Sequence, residues 1–162
     1  MAGGRRGGQE RRRATLDALE RVEIRSLDQL RAWLAANHGQ GDGIWLVRHK
    51  KRAGAPYVPM SDVVDEALCW GWIDSLPRKL DDARTMVLLT PRRRGSGWSP
   101  VNKEKLRRLA AEGRIQPAGQ AKIDAARRDG SWTRLDRPRS LEVPDDLAAA
   151  FAAAPPRSEE HT

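Results

Sequence analysis

The order of apolar and polar positions predicts a mixture of helices and strands over the middle of the chain. Apolar residues three and four positions apart predict an amphipathic helix over 27–38, with Ser26 as its N-cap and Gln29 at the third helical position. The continuous apolar runs at 44–47 and 86–89 are typical of buried strands and predict strands at 44–47 and 84–90, the second of which Pro91 ends. The other predicted elements are strands at 21–25 and 70–75, a helix opened by Ser61, and helices at 100–112, 118–128 and 144–151.

These elements do not alternate regularly as β-α-β units, and no glycine-rich phosphate loop joins a strand to a helix. The strands at 70–75 and 84–90 are separated by a short polar segment, which predicts an antiparallel pair. The sequence therefore predicts an α+β fold, with a small, mainly antiparallel sheet, packed helices and a helical C-terminal part.

Composition divides the 162 residues into three parts. Residues 1–14 are rich in glycine and arginine and have no apolar period, which predicts a disordered basic tail. Residues 15–140 carry the patterned elements and are predicted to form one domain. Residues 141–162 are predicted to be a C-terminal helix and tail.

Several classes of protein are not expected from this sequence. Its longest apolar runs are much shorter than the about 20 residues of a transmembrane helix, and no apolar stretch follows the N-terminal arginines as in a signal peptide. We therefore expect a cytoplasmic protein that does not insert into a membrane. One cysteine and three scattered histidines favour neither a disulfide framework nor a conventional metal centre, so no metal or cofactor is predicted.

The formal net charge of +8 is unevenly distributed. Residues 78–108 hold ten basic and three acidic residues, a net +7, whereas 141–162 hold five acids and one arginine, a net −4. A positive cluster attracts phosphates, acidic peptides or anionic lipid, so nucleic acid is one candidate partner. The alternative is a solvated basic surface that aids solubility.

Trp70 and Trp72 stand two positions apart on the predicted strand and therefore point to the same face. They are either a ledge of the core or, with Asp74 beside them, the floor of a ligand pocket. The sequence leaves both interpretations open.

A second candidate site is the segment 92–103, where three arginines, small residues and a tryptophan precede a predicted helix. Ser99 and Pro100 are typical of the N-cap and first position of that helix, whose free N–H groups attract anions. The alternative is an exposed loop with a well-capped helix. The candidate ligand-binding residues of both sites are Trp70, Trp72, Asp74, Arg78, Lys79, Arg92, Ser96, Trp98, Ser99 and Asn102.

No pattern identifies a catalytic residue. Cys69 follows an apolar helix face and has no histidine close in sequence, which favours a small buried core residue. Proton-transfer catalysis needs a positioned partner, and the sequence shows none for Asp74. We therefore expect a protein that is not an enzyme.

Four segments together resemble the YdeI/OmpD-associated family, also called the bacteriocin-protection family. They are RAWLAANHGQGDGIWLVRHKK (31–51), VVDEALCWGWIDSLPRKLDD (63–82), LTPRRRGSGWSPVNKEKLRRLAAEGRIQPAG (89–119) and AARRDGSW (125–132). The resemblance implies a bacterial, largely uncharacterised protein with a YjbR/CyaY-like α+β fold and a role in resistance to bacteriocins or cationic antimicrobial peptides. Members of that family usually continue past 143–151, so 141–162 is predicted to be a shortened version of their helical C-terminal segment.

Three hypotheses of function follow. The first is a non-enzymatic protein of the bacteriocin-protection type that binds an anionic or peptide ligand in a cleft lined by tryptophan and arginine. A basic surface repels cationic peptides, so this hypothesis assigns an anionic group to the cleft. The second is a nucleic-acid-binding protein that uses the basic segment 78–108. The third is an enzyme with Asp74 as acid or base.

Overall fold

A computed structural model of the chain describes residues 15–52 and 54–136. These residues form a four-stranded sheet with helices packed on it, so the predicted α+β fold is confirmed. The elements in chain order are β1 (Arg21–Glu23), α1 (Leu27–Asn37), β2 (Ile44–His49), α2 (Met60–Cys69), β3 (Trp72–Lys79), β4 (Arg84–Pro91), α3 (Pro100–Ala111), α4 (Pro117–Asp129) and a 3₁₀ turn (Ser131–Thr133).

The strand order in the sheet is β1-β2-β4-β3. β4 pairs antiparallel with both β2 and β3, as the prediction of a mainly antiparallel sheet requires. β1 pairs parallel with β2, and α1 connects the two strands, which the sequence pattern did not predict. β3 is an edge strand whose register shifts between Asp74 and Pro77, and an edge tolerates a proline that has no N–H for the ladder.

The apolar runs of β2 and β4 are continuous because both faces of these strands are covered. Ile44 and Leu46 point into the main core with α1 and α2, while Trp45 and Val47 join a smaller cluster on the opposite face. β4 alternates in the same way. A further apolar cluster joins the end of α2 to α3, α4 and Trp98, and this cluster supports the candidate site.

The predicted start of the second helix is wrong. Ser61 does not cap it, because α2 begins at Met60 and its N-cap is Pro59, without a side-chain hydrogen bond. Met60 packs against the main core on the same helix face as Val63 and Ala67. The burial of Met60 explains why the helix begins one residue before Ser61, since most helical stability in proteins comes from the packed apolar face.

The strand predicted at 70–75 is also wrong at its start. Trp70 is the C-cap of α2, and Gly71 follows with φ of +78°, a left-handed conformation that ends the helix. β3 begins at Trp72. Trp70 and Trp72 therefore do not lie on the same face of one strand.

The other two predicted serine caps, Ser26 and Ser99, are confirmed. The hydroxyl oxygens of Ser26 and Ser99 accept hydrogen bonds from the backbone N–H groups of Gln29 and Asn102, both at 3.1 Å. The predicted basic tail at 1–14 and the helix at 144–151 lie outside the described residues. Among the described residues, no helix has the length and apolar character needed to cross a membrane.

Candidate functional site

A cleft of about 220 Å³ opens between the turn that follows β4 and one face of α4. Its charged lining residues are Arg92, Arg93, Arg94, Lys122 and Asp129. The remaining lining consists mainly of the Trp98 ring and the short side chains of Ala121, Ala125 and Ala126. The cleft is therefore narrow, partly apolar and strongly cationic.

Arg92 is the buried cation of this cleft, with 3% of its surface exposed and no described carboxylate paired with it. Its guanidinium carbon lies 3.7 Å from the centroid of the Trp98 ring, and its Nη2 donates to the carbonyl oxygen of Gly97 at 3.2 Å. Its buried Nε has no hydrogen-bond acceptor among the described residues. Because burial disfavours the charged form, the pKa of Arg92 is lowered to about 10.

Lys122 brings a second cation to the cleft. Its Nζ donates to the carbonyl oxygen of Arg92 at 2.6 Å. Burial, together with the charge of Arg92, lowers the pKa of Lys122 below its ordinary value. Its side chain passes close to Gly71, where an added Cβ would lie 2.6 Å from Lys122 Cγ. Gly71 thus ends α2 and also leaves room for the lysine.

α4, which carries Lys122 and the alanine wall, is fixed closely against the end of α2. An added Cβ at Gly119 would lie 2.3 Å from the carbonyl oxygen of Cys69, so only glycine permits this approach. The same carbonyl accepts a hydrogen bond from the N–H of Gln116, the N-cap of α4, at 2.9 Å. One wall of the cleft is therefore set by backbone contacts.

The mouth of the cleft carries further charge. Arg93 and Arg94 are exposed there. Asp129 is the one carboxylate among the described lining residues. Hydrogen bonds from the side chain and backbone of Ser131 lower the pKa of Asp129, with contributions from the charges of Arg134 and Arg94. Four cations and one carboxylate leave the cleft positive at neutral pH.

Of the ten predicted ligand-binding residues, Arg92 and Trp98 line this cleft. Trp72, 1% exposed, belongs to the main core, where its ring meets Trp33 edge-on at 5.7 Å. Trp70 donates through Nε1 to Glu66 Oε2 at 2.9 Å. Trp72 therefore fits the core-ledge interpretation, and the two rings do not form one pocket floor beside the arginines.

The other predicted residues do not line the cleft. Arg78 pairs with Asp17 at 2.9 Å and lies 4.4 Å above the Trp45 ring, within the cluster on the opposite face of the sheet. Asp74 is half-buried on β3, opposite Leu89. The members of the predicted set that do not line the cleft are Trp70, Trp72, Asp74, Arg78, Lys79, Ser96, Ser99 and Asn102.

Most basic residues of the segment 78–108 are paired with described acids. The pairs are Arg78–Asp17, Arg84–Glu23, Arg84–Asp81, Lys103–Asp136, Lys105–Asp65, Arg107–Glu104, Arg108–Asp65 and Arg108–Glu112. Lys79 and residues 92–94 have no such partner within the described part of the chain. Three of these four unpaired cations line the cleft, so the free positive charge of the segment is concentrated there.

Glu66 is a buried polar residue that the sequence analysis did not single out. It is 2% exposed and accepts hydrogen bonds from Arg31, Trp70 and Arg114, which ties α1, α2 and the α3–α4 connection together. Burial alone would raise the pKa of Glu66, but these hydrogen bonds, led by that of Arg31, outweigh it and lower the pKa. A glutamate within the apolar stretch of α2 is the sequence signal for this network.

Cys69 is buried next to this network, which confirms its interpretation as a small core residue. Burial, with a smaller effect of the Glu66 charge, raises the pKa of the thiol to about 11. Within residues 15–52 and 54–136, no group of three or more His, Cys, Asp or Glu side chains is arranged to hold a metal ion.

Together these features define a small α+β domain with a cationic cleft beside α4. The sequence model of a family described as a domain of unknown function, DUF8412, matches residues 22–122, more than half of the chain, and the chain belongs to that family. The matched range includes Arg92, Trp98 and Lys122. No curated protein and no solved structure matches the chain.

Proposed function

We propose that the protein binds a small anionic ligand in the cleft between Arg92 and Lys122. The observation that carries the proposal is the burial of the Arg92 guanidinium without a described counter-charge. Burying an unpaired ion is unfavourable by roughly several kcal/mol even after the surroundings relax. A ligand anion supplies the missing charge and the missing hydrogen-bond acceptors.

The geometry also prepares Arg92 for this role. The Trp98 ring holds one face of the guanidinium, and Gly97 accepts one of its N–H groups. The orientation of the remaining donors is therefore fixed before a ligand arrives, which lowers the entropy lost on binding. Hydrogen bonds from a guanidinium to an anion are among the stronger ones in proteins.

The arrangement of the other charges favours a small ligand over nucleic acid. A protein that binds nucleic acid presents a row of unpaired cations along the phosphate backbone. Most cations of the segment 78–108 are paired with acids of the same chain. The third hypothesis has less support, because no acid or base among the described residues is hydrogen-bonded to Asp74.

Membership of the bacteriocin-protection family and a role in resistance are part of the same proposal. Their support is the set of sequence segments that resemble that family. A cleft with four cations repels a cationic peptide, so in such a role the protein would bind an anionic cell component or metabolite and not the peptide itself.

The proposal is tested by titrating the full chain with phosphate, sulfate, acetate and citrate while tryptophan fluorescence is recorded. Trp98 contacts Arg92, so an anion bound there changes the signal. The variants are Arg92→Met and, as control, Arg107→Met, which removes the same charge from a side chain that is 73% exposed. We expect saturable binding of at least one anion by the wild type and Arg107→Met, and binding at least about tenfold weaker in Arg92→Met. Binding that is equal in Arg92→Met, or absent for every anion, would overturn the proposal.

A further inference from the structure

We infer that the ligand of the cleft is a small phosphate monoester, bound as a dianion. This inference rests on the proposed function and narrows it to one class of ligand. It is carried by the number of unpaired cations in the cleft, by the donor arrangement of Arg92 and by the size of the cleft.

The number of cations favours a dianion over a monocarboxylate. Arg92 and Lys122 both line the cleft, and Lys122 Nζ lies 2.6 Å from the backbone carbonyl oxygen of Arg92. The charge of Arg92 lowers the pKa of Lys122, and neither side chain is paired with a described acid. A ligand with a single negative charge would neutralise one of these two cations and leave the other without a counter-charge. Arg93 and Arg94 add positive charge at the mouth of the cleft. The carboxylate of Asp129 offsets one of the four cations among the described lining residues.

The shape of the donor groups favours a tetrahedral anion. A guanidinium presents its N–H groups as a planar fork, whereas an ammonium group presents three rotatable donors around a point charge. The three terminal oxygens of a phosphate monoester accept from both kinds of donor at the same time. Arg92 is more than nine-tenths buried with Nε unpartnered, so it is already dehydrated for such a contact.

The size of the cleft limits the rest of the ligand. Its volume of about 220 Å³ is below the roughly 300–1,000 Å³ of typical ligand pockets. Ala121 and Ala125 form a wall with little polar character. A phosphate with a short carbon body suits this space, whereas a phosphodiester within a polymer carries one charge and continues on both sides.

The experiment compares glycerol phosphate with glycerate, which has a similar body but a carboxylate, by calorimetric titration of the full chain at pH 7.5 and pH 5.0. We expect glycerol phosphate to bind at least about tenfold more tightly at pH 7.5, as one additional charge-assisted hydrogen bond would give. The second pKa of a phosphate monoester is about 6, so this preference should shrink at pH 5.0, where both ligands are monoanions.

A change in the charge of the protein with pH affects the binding of both ligands, so it largely cancels in the ratio of their affinities. The protein groups that face both ligands are Arg92, Arg93, Arg94, Lys122 and Asp129. A preference that is absent at pH 7.5, or unchanged at pH 5.0, would overturn the inference. If both ligands bind equally and only when Arg92 is present, the proposed function stands and the phosphate assignment falls. If neither binds, the phosphate assignment falls, and the proposed function falls with it only if phosphate, sulfate, acetate and citrate also fail to bind.

Two further arms separate the sources of the phosphate and the role of Lys122. A trinucleotide without terminal phosphates carries only phosphodiester groups and should not compete with glycerol phosphate for the cleft. Competition by this trinucleotide at equal concentration would overturn the assignment to a monoester. Lys122→Met should weaken the binding of glycerol phosphate more than the binding of glycerate. Lys105→Met removes a charge outside the cleft and should leave the ratio of the two affinities unchanged. Equal ratios in Lys122→Met and the wild type would contradict the two-cation argument.

Discussion

The guanidinium carbon of Arg92 lies 3.7 Å from the centroid of the Trp98 ring. Only 3% of the surface of this arginine is exposed. The ring interacts favourably with the cation but carries no net charge, so it orients the guanidinium without neutralising it. A buried arginine held in this way differs from the other basic residues of the segment, most of which face a carboxylate.

An arginine kept for ligand binding is expected to be unfavourable for stability in the absence of ligand. We predict that Arg92→Met, which keeps the length and apolar contact of the side chain, leaves the free energy of unfolding unchanged or raises it by about 1 kcal/mol. Urea denaturation in a buffer with few anions measures this. The comparison is Arg31→Met, which is expected to lose roughly 2 kcal/mol because Glu66 keeps only Arg114 and Trp70 as donors. A larger loss for Arg92→Met than for Arg31→Met would show that Arg92 is a structural residue.

Gly71 is expected to be more sensitive to substitution than other glycines of the same conformation. Gly71→Ala combines the strain of φ +78° with a contact to Lys122 Cγ at 2.6 Å, whereas Gly113→Ala has a similar φ of +71° and open space around the new Cβ. The left-handed conformation alone costs about 1–2 kcal/mol for a residue with a side chain. We predict that Gly71→Ala destabilises by more than Gly113→Ala and also weakens anion binding, while Gly113→Ala does not affect binding. Equal losses of stability would mean that Lys122 moves aside freely.

The stability of the protein should fall in acid partly through Glu66. Its folded-state pKa is lowered, so its contribution to the free energy of unfolding is complete above its unfolded pKa of about 4.3 and is lost as the pH falls through the folded value. We predict that Glu66→Gln loses about 3 kcal/mol at pH 7 and that its difference from the wild type narrows between pH 5 and pH 3. Denaturation curves of both proteins at several pH values test this. A constant difference across that range would contradict the assignment of the network to an ionised Glu66.

Cys69 is predicted to be unreactive in the folded protein. Burial raises the pKa of the thiol to about 11, so the thiolate is scarce at pH 8, and the side chain is fully covered. We expect a thiol reagent to modify Cys69 only as fast as the protein unfolds, and rapidly in concentrated urea. Fast modification of the native protein would show that the end of α2 opens readily.

The sequence predicts those parts of the fold that local signals determine. Ser26 and Ser99 are recognisable as caps because the signal is local, a hydroxyl that accepts from the backbone N–H three residues later. The same signal fails at Ser61, where the helix already begins at Met60. The continuous apolar runs identify β2 and β4 because both faces of these strands are covered. The parallel pairing of β1 with β2 has no local signal, since it depends on how α1, which connects the two strands along the chain, packs in the main core.

The candidate site is predicted only in part for the same reason. Arg92 and Trp98 are six positions apart and belong to one recognised segment, whereas Lys122 reaches the site from α4, thirty positions after Arg92 along the chain. The predicted Trp70–Trp72 pair fails because the single left-handed Gly71 separates a helix end from a strand start. The role of Glu66 is not predictable from local sequence, because its partner Arg31 is 35 positions away.

Nuclear magnetic resonance of the Arg92 Nε–H group tests whether this buried guanidinium, which has no carboxylate partner among the described residues, binds an anion. In the free protein this group is buried without an acceptor among the described residues, so its proton should exchange slowly enough with water to give a resolved signal. We predict that added glycerol phosphate shifts this signal in a saturable manner, that Lys122→Met weakens the effect, and that Arg92→Met removes the signal itself. A resolved Arg92 Nε–H signal that stays unchanged at every concentration of glycerol phosphate would contradict binding of this anion at Arg92.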